Sequence, residues 1–81
     1  MAWYIASSSL ALADNPTAIW NQIFGPGQTV PASGIYRCTG CRKEITSNGG
    51  DPFPPQNHHQ HSLLQGPVQW RLNVGTNTAG E

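Results

Sequence analysis

Charge is the first thing in short supply: four Lys plus Arg stand against four Asp plus Glu in 81 residues, leaving a formal net charge of zero. A polyanion binder draws most of its affinity from neutralising phosphates and normally carries a basic excess. The balance therefore argues against a nucleic-acid partner. No apolar run approaches the ~20 residues a membrane-spanning helix needs, so no span is expected. Only two cysteines are present, too few for the disulfide framework of a secreted miniprotein. Carboxylates are scarce where chemistry would need them. Glu44 and Asp51 are the central ones, and neither sits in a motif such as His-Glu-x-x-His, which makes a metal-dependent hydrolase the weakest of the function classes and leaves no catalytic residue to assign.

Large apolar side chains are also few: three Trp, two Tyr and two Phe among nine Gly and seven Pro. One domain of this size recovers only ~60% or slightly more of its unfolded surface, so a staple such as a metal is expected to supplement the core. The N-terminal stretch closes on Ala11-Leu12-Ala13, a small-x-small pattern. It lacks Lys or Arg near its start and is interrupted by Ser7-Ser8-Ser9, so it reads as part of the fold rather than as a secretory leader. The expected location is cytoplasmic.

What the chain does have is concentrated between residues 34 and 61, where both cysteines and all three histidines lie. Cys38-Thr39-Gly40-Cys41 is a C-x2-C pair, and its short arc, with Gly40 free to take a positive φ, lets two thiolates converge on one ion. After sixteen intervening residues comes His58-His59-Gln60-His61, a separation within the range of zinc ribbons and fingers. A thioredoxin-like redox motif would need a βαβ setting, and no helix start follows Cys41. The candidate zinc ligands are Cys38, Cys41, His59 and His61, with His58 in reserve. His59 and His61 share one side of an extended segment, whereas His58 and His61 would suit a tight turn.

Local patterning predicts mostly β structure with one short helix. Trp3 and Tyr4 mark a first strand over residues 1–5. Asn15 as N-cap, Pro16 at the first helical position and the i, i+4 pairs Ile19/Ile23 and Trp20/Phe24 predict a helix over 16–24, stopped by Gly25-Pro26-Gly27. Thr29-Val30 reads as a short edge strand between turns. A hairpin follows, with strands over 35–38 and 43–46 and the thiolates at its tip. Ser47-Asn48-Gly49-Gly50-Asp51 is a turn. Pro52, Pro54 and Pro55 make a rigid strut around Phe53, more suited to bracing the fold from within than to serving as a ligand for another protein. Val68, Trp70, Leu72 and Val74 alternate with polar residues and predict a strand with one core face, in which Trp70 is buried while Trp20 or Trp3 is partly exposed. The division expected is a single metal-stabilised domain over 1–81, with an extension over 1–27, a ribbon-like core over 28–74 and a disordered tail over 75–81.

Gly34-Ile35-Tyr36-Arg37-Cys38-Thr39-Gly40-Cys41, then Gly50-Asp51-Pro52-Phe53-Pro54-Pro55, then the histidine cluster and the late Trp-containing strand, resemble small, mostly uncharacterised bacterial proteins of zinc-ribbon type. The resemblance covers residues 28–74, about half the chain. It implies a small antiparallel sheet around a rubredoxin-like knuckle, and no catalytic assignment. In many such relatives the segment after the Phe-Pro-Pro turn supplies a second cysteine pair, where this chain has Gln56 and His59. His59 thus matches a ligand position and Gln56 does not.

Two function classes follow. The first is a structural zinc-binding module whose platform engages a protein partner or a second copy of the chain. The second is a zinc ribbon that binds single-stranded nucleic acid through Arg37, Arg42 and Lys43, with exposed aromatics for stacking. The neutral charge favours the first.

Overall fold

The computed structural model of the chain describes residues 2–11, 18–55 and 66–78. Three strands, β1 (Gly34–Cys38), β2 (Glu44–Ser47) and β3 (Trp70–Gly75), form one antiparallel sheet in the order β2-β1-β3. The fold is therefore small and mostly β, as the patterning predicts. β1 is central, and its alternation of buried Gly34, Tyr36 and Cys38 with half-buried Ile35 and Arg37 gives the sheet one inner and one outer face.

The inner face carries the core. Trp70, Tyr36 and Cys38 are fully buried, joined by Phe24, Val30, Phe53, Val68 and Leu72. Phe24, Tyr36 and Phe53 make an aromatic triangle with centroid separations of 6.1, 5.3 and 4.9 Å. Two of the three contacts are edge-to-face, the arrangement the ring quadrupoles favour. The Tyr36 hydroxyl donates to the Ala32 carbonyl at 2.6 Å, so the one polar atom this ring brings inward is satisfied.

Two expected elements are corrected. Among the described residues, 2–5 join no strand; Ser7–Ser9 is instead a 3-10 turn, and Trp3 and Ile5 are 96% and 105% exposed. β-propensity reflects packing against neighbours, and among the described residues 2–5 lie in no strand. The predicted helix start at Asn15-Pro16 lies outside the described residues. What is described of 16–24 is a 3-10 turn at Ala18–Trp20 and then extended chain. Phe24 exchanges both backbone hydrogen bonds with Trp70 at 2.8 Å, and Ile23 is left 42% exposed. A nine-residue helix is marginal by itself, and pairing with β3 gives Phe24 backbone partners and a buried place at once.

The late strand is also displaced. β3 begins at Trp70, and a bulge opposite Ile35/Tyr36 pairs Tyr36 with Leu72 but Ile35 with Val74. Val74 thereby leaves the face of Trp70 and Leu72 and joins Ile35 on the outer face. Gly75, assigned to the tail by sequence, closes the strand opposite Gly34, and the Thr76 N–H reaches the Ser33 carbonyl at 2.9 Å. Gly34 has to be glycine for space: a Cβ there would collide with the Val74 carbonyl oxygen and lie 3.1 Å from the Gly75 Cα.

The proline strut is an internal brace. Phe53 is 2% exposed. Its N–H donates to the Gln28 carbonyl at 2.8 Å, its carbonyl accepts from Gly27 at 3.1 Å, and Val30 donates to the Asp51 carbonyl at 2.8 Å. Thr29 bridges Pro52, which is the short edge pairing expected for Thr29-Val30. Gly27, at φ 79°, supplies the left-handed position that the Gly25-Pro26-Gly27-Gln28 turn needs.

Candidate functional site

The C-x2-C pair sits where the central strand ends. Cys38 is the last residue of β1, and residues 39–41 form the turn into β2. Three backbone hydrogen bonds fix it: Cys38 N–H to the Lys43 carbonyl at 2.7 Å, Arg42 N–H to the Cys38 carbonyl at 3.0 Å, and Thr39 N–H to the Gln69 carbonyl at 3.0 Å. The third ties the turn to the chain entering β3. Among the described residues the left-handed backbone of this turn falls on Arg42, at φ 67°, and not on Gly40 as the sequence suggests. The shift follows from the wide Arg42-to-Cys38 hydrogen bond, which closes four residues on and places the reversal of φ at its end.

Neither cysteine is in a disulfide. Cys38 is fully buried and Cys41, half-buried, packs against the core. Burial pushes the Cys38 thiol up. Hydrogen bonds from the backbone of Cys41 and Gly40, from the Cys41 thiol and from the backbone of Gln69 outweigh it and bring the thiol below its ordinary value. The turn thus directs donors at one sulfur and holds the second sulfur beside it. This donor set suits a thiophilic divalent ion, because thiolates are the ligating form and the backbone donors stabilise that charge.

His58, His59 and His61 lie outside the described residues, so the pairing of histidines with the thiols is not visible. Among the described residues no group of three His, Cys, Asp or Glu side chains comes together to hold a metal. No helix among them is long and apolar enough to cross a membrane.

On the outer face the strand pairing gathers positive charge. The register sets Arg37 directly opposite Arg71 on one side and opposite Glu44 on the other. Arg37, Arg71 and Arg42, all the arginines of the chain, line a single cleft of about 340 Å³ together with Cys38, Thr39, Leu72 and Asn73. Arg71 is braced from behind, its Nε donating to the Trp20 carbonyl at 3.3 Å and an Nη to Asn21 Oδ1 at 3.2 Å. The Asn73 amide donates to Glu44 Oε2 at 3.0 Å. Lys43, grouped with Arg37 and Arg42 by sequence, does not line the cleft.

The chain is 63% identical over 62 residues to Protein L of Escherichia coli, an alignment covering 76% of this chain and 70% of that protein. It belongs to the family of that protein. The name Protein L states no ligand, reaction or partner. No family model matches the sequence, and no solved structure matches it.

Two residues of this Protein L relative escape a reading by motif. Gln69 contributes backbone atoms to the cysteine turn, which no side-chain pattern records. Arg71 does leave a signal, because the alternation that turns Trp70 inward turns Arg71 outward. Its meeting with Arg37 depends on strand register.

Proposed function

We propose that this chain is a small structural zinc-binding domain in which Cys38, Cys41, His59 and His61, with His58 in reserve, hold one ion, and that the platform so fixed serves protein interaction or self-association. The observation that carries the reading is the cysteine turn: two thiols in contact, neither in a disulfide, with the Cys38 sulfur receiving backbone hydrogen bonds from Gly40 and Cys41. A zinc-ribbon knuckle would use the turn in this way, each thiolate giving one bond to the ion while the backbone donors share its charge. When bound, the ion would add its binding free energy to folding, because the unfolded chain does not assemble the ligand set. A shell of four protein ligands leaves no coordination position for water, which suits a structural and not a hydrolytic role.

The test is elemental analysis of protein purified without added metal, followed by cobalt substitution. One zinc per chain, lost in Cys38→Ser and in His61→Ala, with a tetrahedral cobalt spectrum indifferent to small anions, is the expected result. A metal-free chain whose melting transition is unchanged by chelator ends the reading. Light scattering of the zinc-loaded chain then separates self-association from binding to another protein.

A further inference from the structure

Arg37 and Arg71 face one another across β1 and β3. Like charges directly opposite in a sheet repel, with Cβ atoms only about 4.5–5.5 Å apart. Glu44 answers one of them from the far side of Arg37, since the register makes it the other neighbour of that residue. Arg42 brings a third guanidinium to the same cleft, and it does so from a left-handed backbone position, φ 67°, that a non-glycine residue occupies only at a cost. In a chain of zero net charge the cleft is lined by three arginines and, among the described residues, by no carboxylate. A ligand there meets an excess of positive charge.

We propose that the cleft between Arg37, Arg42 and Arg71 binds the phosphate group of a small phosphorylated ligand. A phosphate monoester offers about two negative charges and three acceptor oxygens, which match the positive excess and the forked donors of guanidinium groups better than one carboxylate does. Arg71 is already held by Trp20 and Asn21, so little is lost in ordering it. Thr39 also lines the cleft. A volume of about 340 Å³ lies at the small end of ligand sites, about 300–1,000 Å³. Among the described residues that line the cleft none is aromatic, so there is no platform on which the bases of a single strand would stack.

The experiment is an amide-resolved NMR titration of the full chain with inorganic phosphate, a nucleoside monophosphate, oligothymidylate and, at matched ionic strength, acetate. Phosphate and the nucleotide should give saturable shifts at Thr39, Arg42 and Asn73, and acetate should not. Arg42→Gly removes the guanidinium and relieves the left-handed backbone. It should fold at least as stably as the parent and bind phosphate roughly tenfold more weakly, the loss of one charge-assisted hydrogen bond. Arg37→Gln should weaken binding likewise. No saturable response to phosphate or nucleotide, equal shifts with acetate, or undiminished affinity in both variants would overturn the site. Tighter binding of oligothymidylate, with a steep salt dependence, would overturn the small-ligand assignment. A metal-free chain that binds phosphate keeps this inference while ending the zinc reading, and a zinc-loaded chain that ignores phosphate does the reverse.

Discussion

Trp3-Tyr4-Ile5 and Trp70-Arg71-Leu72 are built from similar residue types and meet opposite fates. Trp70 is fully buried and Leu72 nearly so, whereas Trp3, Tyr4 and Ile5 are 96%, 63% and 105% exposed. Both stretches favour extended chain by composition. The difference is a strand partner: β3 pairs with β1 on one edge and with Phe24 on the other, while among the described residues 2–5 lie in no strand. A strand is thus a property of the pair, and the apolar count of a segment says little until its neighbour is known.

The sharpest test of that contrast is Trp70→Ala, which should cost ~3–5 kcal/mol, the range for truncating a buried aromatic. That is a large share of the ~5–15 kcal/mol margin of a small domain, and denaturant unfolding would read it directly. Near-native stability would show that the two tryptophans do not differ as described. Gly34→Ala attacks the pairing itself, because the added methyl meets the Val74 carbonyl and Gly75 backbone and neither can rotate away. A loss of about 1–3 kcal/mol is expected, as for overpacking elsewhere, and an unchanged midpoint would mean that β1 and β3 sit further apart.

Tyr36→Phe should cost about 1 kcal/mol at neutral pH for the hydrogen bond to Ala32. It also changes a pH dependence. Burial raises the Tyr36 phenol above its ordinary value. The folded state therefore keeps a proton that the unfolded state gives up from about pH 10. Stability from this residue is complete below that pH and is lost as pH rises through the folded value, and Tyr36→Phe should flatten that alkaline fall. An identical alkaline profile in the two proteins would remove Tyr36 as its source. The smallest effect belongs to the exposed stretch: Trp3→Ala should change stability by less than about 0.5 kcal/mol. A larger loss in thermal unfolding would mean that residues 2–5 do have a partner.

These contrasts mark how far the sequence could be read. The β1–β2 hairpin, the buried Trp70 and the Phe53 brace were legible because each rests on a local signal: the C-x2-C turn between two short extended stretches, strict alternation, or a proline cluster around one aromatic. The course of residues 18–24 was not, since Phe24 leaves its i, i+4 stripe to bond with Trp70, a partner far along the chain. The bulge that turns Val74 outward is likewise set by the fit of two strands and not by the strict alternation that conceals it. For the site, the C-x2-C pair was plain, and the histidines lie outside the described residues. The arginine cleft was half legible: Arg37 and Arg42 flank the cysteines in sequence, but Arg71 reaches them only through register.

The order β2-β1-β3 has a consequence for how the molecule comes together in time. Pairing β1 with β2 needs only the short loop between Cys38 and Glu44 to close. Pairing Gly34 with Gly75 needs a far longer closure, whose entropy must be lost before Trp70 and Leu72 return any burial. The hairpin should therefore form early with its inner face uncovered, and Tyr36 and Cys38 should remain wet until β3 arrives. In pulse-labelled hydrogen exchange the amides shared by β1 and β2 should gain protection before those shared by β1 and β3. During that interval both thiols would be open to the surrounding solution, so the redox state met by the folding chain bears on them more than the one met by the finished fold.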